Sequence, residues 1–143
     1  MFTEITEPTI AVLVETFYAR VRRDPALAPV FAATVAEAAW PAHLLRMGGF
    51  WSSVMLTSGR YKGDPVAVHR RVARMAGSGV TPELFATWLD LFEATAAELF
   101  APELAAVFAD KARRIAESLK LALFFRPDRP WPEDLRQRTR APA

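Results

Sequence analysis

His43 and His69 are the two residues of this chain best suited to hold a metal or to move a proton. Both lie in apolar helical stretches, where a solvent-exposed histidine is not favoured. Taken alone, each also fits a histidine at the edge of a core that bonds to backbone. The pair is more informative, because two separate predicted helices can face each other across a gap.

Haem iron requires such a gap, with an imidazole on one side and a small, mostly apolar pocket with one or two hydrogen-bond donors on the other. Tyr18 and Trp88 are candidate donors, since each lies on the apolar stripe of its helix and brings a hydroxyl or an indole N–H into the interior. Ordinary core packing, with the polar atom bonded to a backbone carbonyl, explains both residues as well.

The composition excludes several other kinds of site. The chain has 143 residues and no cysteine, so disulfides, thiolate metal sites and haem attachment through CxxCH are ruled out. Its formal net charge is only +2, which does not favour nucleic-acid binding. The charge-free apolar stretch from Met47 to Ser58 is shorter than the roughly 18 residues of a membrane span, and the N-terminus lacks a signal pattern. We therefore expect a soluble cytoplasmic protein with no membrane partner.

Apolar residues recur at three- and four-residue spacings through most of the chain, and alternating strand patterns are missing. This spacing predicts an all-α fold. The first long helix shows it best, with a plausible cap at Thr6 and Pro8 in its first turn. Its apolar stripe consists of Ile10, Leu13, Val14, Phe17, Tyr18 and Val21.

Cap-and-proline signals predict where the later helices begin, because Asp or Thr caps free amides and proline presets the first helical angle. The predicted helices run from Asp24-Pro25 to about Phe31, from about Ala39 to Thr57 with Gly48 and Gly49 inside, from Asp64-Pro65 to Gly77, from Thr81-Pro82 to a break at Pro102, and from there to about Phe125. We expect residues 1–125 to form one domain. Residues 126–143 are rich in proline and charge and are expected to be a flexible tail.

Four segments together resemble the truncated haemoglobins, in particular group III of that family. They are Phe17-Tyr18, His43 with Phe50-Trp51 downstream, Tyr61 to His69, and Ala86 to Phe92. The match runs in the family's order and spacing over roughly residues 5 to 124. The resemblance implies the truncated globin fold, a two-over-two helical sandwich around haem.

The resemblance also implies the cofactor, haem b, and a role for each matching residue. His69 is the axial iron ligand, Tyr18 and Trp88 donate hydrogen bonds to a bound diatomic ligand, and His43 gates or polarises that side. Met47, one turn after His43, faces the ligand. The other expected haem contacts are Phe50, Trp51, Arg46, Arg70 and Arg74, with Arg71 as a further candidate for the propionates; a solvated basic face explains the arginines as well.

The position of His69 in its helix predicts how its ring is held. The N–H that does not face iron can reach the carbonyl of Pro65, whereas Asp64 is badly phased to accept it. A carboxylate partner would favour O–O cleavage, so we expect a moderately basic, carrier-like ligand rather than a dedicated peroxidase.

The sequence therefore favours a haem protein that binds dioxygen, nitric oxide and carbon monoxide. It leaves open whether the protein also acts as an NO dioxygenase or a weak peroxidase, and whether a reductase is its partner. The alternative is a haem-free helical binding or sensor module on a globin-like scaffold, because a fold does not fix a function. A diiron four-helix site is set aside, since the paired Glu-x-x-His signatures are missing.

Overall fold

The computed structural model describes residues 1–76 and 80–124, apart from the side chains of residues 73–76. These residues form six α-helices and one short 3₁₀ helix, which confirms the all-α expectation for this part of the chain. The helices are α1 (Glu7–Val21), α2 (Ala28–Thr34), the 3₁₀ helix (Glu37–Ala39), α3 (Trp40–Leu56), α4 (Pro65–Ala76), α5 (Pro82–Leu99) and α6 (Pro102–Phe124).

The helix starts follow the caps expected from the sequence. The Thr6 hydroxyl accepts a hydrogen bond from the backbone N–H of Thr9 at 3.2 Å, in a capping box that opens α1. Thr81 caps α5 by accepting from the N–H of Leu84 at 3.3 Å. These bonds satisfy amides that the first turn of a helix leaves without partners, so local chemistry alone fixed these starts.

The short helix α2 differs from the prediction, because it begins later than Asp24-Pro25 and extends beyond Phe31. The Asp24 carboxylate accepts from the backbone N–H groups of Ala26 at 2.8 Å and Leu27 at 3.0 Å. Asp24 therefore caps a turn before the helix, and the helix itself starts at Ala28 and ends at Thr34.

Helix α1 lies at the centre of the packing, against α3 on one side and α5 on another. Helix α5 packs on α6, and α4 packs on α6 and α2. The predicted apolar stripe of α1 is buried throughout. Helices α3 and α4, which carry the two histidines, are not among the closely packed helix pairs of the described chain, and this leaves room between them.

The two adjacent glycines lie inside α3, as expected. A side chain at Gly49 would begin 3.6 Å from Cβ of Arg60, which is an ordinary van der Waals contact. A side chain at Gly48 would meet open space. Close packing among the described residues therefore requires neither glycine.

Two predictions lie outside the described residues, namely the end of α4 at Gly77 and the flexible tail 126–143.

Near the N-terminus, the backbone N–H of Phe2 donates to the carbonyl of Leu99 at 2.7 Å, and the N–H of Ala101 donates to the carbonyl of Phe2 at 2.9 Å. Among the helices described, none is both long and apolar enough to cross a membrane.

Candidate functional site

His69 lies in the second turn of α4, with its ring held by the backbone of the same helix. Its Nδ1 is 2.6 Å from the carbonyl oxygen of Pro65. A carbonyl can only accept, so Nδ1 carries the proton and Nε2 keeps its lone pair. Burial lowers the pKa of His69, although the bond to Pro65 opposes this shift. The ring is therefore neutral at pH 7, and the hydrogen bond predicted from the sequence is confirmed.

The nearby carboxylate of Asp64 serves the helix rather than the imidazole. Its Oδ1 accepts from the backbone N–H of Ala67 at 3.2 Å, which caps the first turn of α4. His69 consequently has a neutral carbonyl as its partner, as the helical phase predicted. Such a partner leaves the imidazole less electron-rich than a carboxylate would.

His43 lies near the start of α3 and is enclosed by aromatic rings. The ring centroids of Tyr18, Trp40 and Phe31 lie 5.1, 5.2 and 6.3 Å from its own. Burial and then the charge of Arg46 lower the pKa of His43 to about 4. The imidazole is therefore neutral at pH 7.

The Nε2 atom of His43 is buried and has no hydrogen-bond partner among the residues described. An unsatisfied buried polar atom costs about 1–3 kcal/mol, so such atoms are uncommon unless something else satisfies them. The atom is the clearest sign in the described chain of a place for a polar or polarisable guest.

Tyr18 is buried beside His43. Its ring meets that of Phe17 edge to face, with the ring centroids 5.0 Å apart. Burial raises the pKa of Tyr18, so its hydroxyl stays protonated and can donate. Trp88, on α5, packs edge-on against Phe17 and stacks on Phe92, with ring centroids 5.6 and 5.4 Å apart. Tyr18 and Trp88 thus both contact Phe17, and neither of them lines the main cavity described below.

A cavity of about 430 Å³, which we call the main cavity, lies beside His43 and extends to Val68, the neighbour of His69 in α4. Predicted site residues His43, Arg46 and Met47 line it. His69 itself is not among the lining residues. The main cavity therefore lies in the space between the two histidine-bearing helices.

The loop after α3 supplies four further lining residues that were not predicted to line a site: Arg60, Tyr61, Lys62 and Gly63. An ion pair of 2.6 Å with Glu7 holds Arg60. The Ser53 hydroxyl holds Tyr61 by accepting from its backbone N–H at 2.9 Å. Among the residues that the structure describes, the lining has three cationic side chains, Arg46 included, and no acidic one. Such a lining suits a largely apolar guest that carries negative groups at one edge.

Similarity to known proteins identifies the family of this chain. No family model matches the chain. A group 3 truncated haemoglobin from Campylobacter jejuni is 31% identical over 125 residues, which span 86% of this chain and 94% of that protein. The chain belongs to the group III truncated haemoglobins. The crystal structure of group III truncated haemoglobin from the same organism matches with a TM-score of 0.77 and 31% identity, over 86% of this chain and 94% of that one. The truncated globin fold expected from the sequence is confirmed.

The remaining predicted contacts of this truncated haemoglobin lie in different surroundings. Trp51 is buried in the core and stacks on Phe92 at 4.8 Å, whereas Phe50 is half-buried and meets Tyr61 edge-on at 5.2 Å. Trp51 faces α5 rather than the main cavity, because one helical step turns it to the other side of α3.

Of the predicted arginines of α4 in this truncated haemoglobin, Arg70 and Arg71 have described side chains, and neither lines the main cavity. Arg70 donates to the carbonyl of Ala122 on α6, at 3.4 Å, and Arg71 is exposed. The side chain of Arg74 lies outside the described residues. In their place the loop supplies Arg60 and Lys62, which helical periodicity could not reveal because a loop has none.

Proposed function

We propose that this truncated haemoglobin holds haem b through His69 and binds dioxygen and other diatomic ligands, including nitric oxide and carbon monoxide, on the His43 side. The observation that carries the proposal is the 2.6 Å bond from His69 Nδ1 to the Pro65 carbonyl. That bond fixes the proton on one ring nitrogen and leaves the other free to ligate. The haem would be non-covalent, because the chain has no cysteine for a thioether bond.

The residues of the main cavity fit this cofactor. Bound haem supplies an iron centre that takes up diatomic gases and exchanges electrons. Met47 and Val68 offer apolar surface to the ring from α3 and α4. Arg46, Arg60 and Lys62 would supply cations for the two propionates.

On the other side, His43 and Tyr18 would hold a guest by hydrogen bonds. The Tyr18 hydroxyl remains a donor at any physiological pH, because burial raises its pKa. The buried Nε2 of His43 can form a hydrogen bond, and no residue of the described chain is its partner. Trp88 is the remaining candidate donor, from α5. A pocket with these groups suits a small polarisable ligand better than an organic substrate.

The neutral partner of His69 supports ligand binding rather than dedicated peroxidase turnover. A carboxylate on Nδ1 would increase electron donation and favour O–O cleavage, and Asp64 is engaged elsewhere. Resonance Raman measurement of the iron–histidine stretch tests this point. A frequency in the peroxidase range would contradict it.

Absorption spectra of the ferric, ferrous and carbonyl forms test the proposal as a whole. The unmodified protein is expected to show a Soret band, and His69→Ala should lose it. The matched control is His43→Leu, which removes the other histidine and should keep the band. A colourless protein that cannot be reconstituted with haemin would instead favour the haem-free binding module. The cytoplasmic location, a reductase partner and NO dioxygenase activity stay predictions.

A further inference from the structure

Arg60, in the loop after α3, is held at its backbone by two adjacent serines of that helix. The buried hydroxyl of Ser52 donates to that of Ser58 at 2.6 Å, and Ser58 accepts from the backbone N–H of Arg60 at 3.3 Å. Ser53 accepts from the N–H of Tyr61, the next residue, at 2.9 Å. These bonds fix the position of the Arg60 backbone relative to α3.

The guanidinium of Arg60 is held separately, by a carboxylate from another helix. Nη1 of Arg60 donates to Oε2 of Glu7 at 2.6 Å, and Glu7 is the first residue of α1. The hydroxyl of Ser52 and then Arg60 lower the pKa of Glu7, so its carboxylate is ionised at pH 7. The ion pair therefore joins the first turn of α1 to the loop after α3.

The other terminal nitrogen of this guanidinium lies beside the wall of the main cavity. A Cβ placed on Gly49 would be 3.9 Å from Nη2 of Arg60, and both residues line the cavity. Among the described residues, Nη1 has a hydrogen-bond partner and Nη2 has none. A guanidinium can bond two anionic groups at once, because its N–H groups point in different directions. Nη2 can therefore donate to an anionic group of a guest while Nη1 stays on Glu7.

We propose that Glu7 is a positioning residue for haem, which holds Nη1 of Arg60 and so keeps Nη2 directed at a propionate in the main cavity. This inference rests on the proposed function, because the propionate belongs to the haem that His69 would ligate. Arg60 has a long side chain that is 45% exposed, and binding a guest would otherwise cost it rotamer freedom. The ion pair restricts that freedom before the guest binds.

The negative charge of Glu7 also has an opposing effect, because it repels a propionate. The Glu7 side chain is 44% exposed, so water and salt screen this repulsion, whereas the orientation of Arg60 remains. The two effects differ in sign. Positioning predicts faster haem loss when the charge of Glu7 is removed, and repulsion predicts slower loss.

A double-mutant cycle on the transfer of haem to an excess of apomyoglobin tests the proposal. Glu7→Gln is expected to speed haem loss by at most the roughly two- to fivefold expected for Arg60→Met, because it acts through Arg60. In the Arg60→Met background, Glu7→Gln should change the rate no further. The matched control is Glu93→Gln, which removes a 2.7 Å ion pair between Glu93 and Arg113 of α5 and α6. Neither residue lines the main cavity, so the control should lose haem as the unmodified protein does.

A merely structural role for Glu7 gives a different result. If its charge only favoured the first turn of α1, Glu7→Gln would speed haem loss by the same factor with and without Arg60. That result, an unchanged or slower rate in Glu7→Gln, or equal acceleration in Glu93→Gln would each overturn the inference. If the unmodified protein has no Soret band, the proposed function fails and this inference fails with it. An intact Soret band together with any of these results overturns the inference alone.

Discussion

Tyr18 and His43 meet edge to face with ring centroids 5.1 Å apart, yet the Tyr18 hydroxyl does not bond to Nε2 of His43. Burial keeps both groups neutral, because it raises the pKa of the phenol and lowers that of the imidazole. Two polar groups thus lie side by side in an aromatic setting without satisfying each other. This relationship makes them suited to hold a third group between them.

The Tyr18 hydroxyl is expected to slow the release of dioxygen. Tyr18→Phe removes a hydrogen bond worth about 1.5–3 kcal/mol, so dissociation should become about tenfold faster or more. Stopped-flow measurement of the dissociation rate checks this. Tyr61→Phe, which removes a hydroxyl at the rim of the main cavity, should leave the rate unchanged. An unaltered rate in Tyr18→Phe would mean that Tyr18 does not contact the ligand.

The pH dependence of stability should report the buried imidazole of His43. Its pKa is about 4 in the folded state against 6.5 when exposed, so the unfolded chain binds a proton that the folded chain does not between these values. Stability attributable to His43 is constant above pH 6.5 and falls as pH decreases towards 4. Urea denaturation of the haem-free protein across this range measures the effect.

The comparison variant for that titration is His43→Leu. It removes the titrating group and the unpartnered Nε2, so stability at pH 7 should rise by about 1 kcal/mol and decline less steeply on acidification. Parallel curves for the variant and the unmodified protein would show that His43 is not held neutral.

Haem retention should depend on the cations of the loop rather than on Arg70. Arg60→Met and Lys62→Met each remove a charge from the lining of the main cavity, and each should speed haem loss by roughly two- to fivefold, as expected for a partly exposed ion pair. Transfer of haem to an excess of apomyoglobin measures the rate. Arg70→Met is the matched control, because Arg70 bonds to α6, and it should behave as the unmodified protein. Faster haem loss in Arg70→Met alone would instead support Arg70 as the haem contact predicted from the sequence.

Trp51 is expected to stabilise the fold whether or not haem is bound. Its ring is 3% exposed and stacks on Phe92, so Trp51→Ala should lower the free energy of unfolding of the haem-free protein by about 3–5 kcal/mol. Trp88→Ala should cost less, since Trp88 is only half-buried. Denaturant titration of the haem-free forms compares them. If Trp51→Ala weakened haem binding without lowering stability, the ring would be a cofactor contact after all.

Local interactions explain why some of this molecule could be predicted. The bond from His69 to the Pro65 carbonyl spans one helical turn, so the sequence spacing settled it once a helix was expected there. Thr6 and Thr81 cap their helices through residues three positions away. Asp24 shows the limit of such predictions. Its carboxylate has the chemistry of a helix cap, but here it caps a turn that precedes the helix.

Residues brought together from distant parts of the chain could not be assigned in the same way. Arg60 lies in the loop after α3, where it lines the main cavity and pairs with Glu7 of α1. Arg70 turns to a carbonyl of α6 instead. The adjacent residues Phe50 and Trp51 differ in their surroundings, because Phe50 meets Tyr61 of the loop after α3 whereas Trp51 packs on Phe92 of α5.

The sequence by itself determined the all-α fold, the starts of α1 and α5, the family and the tautomer of His69, because each depends on spacing within a helix or on the order of segments along the chain. Only the tertiary structure decided which cations line the main cavity and that Nε2 of His43 has no partner among the described residues. These features depend on how helices pack, and packing brings together side chains whose separation in sequence carries no signal.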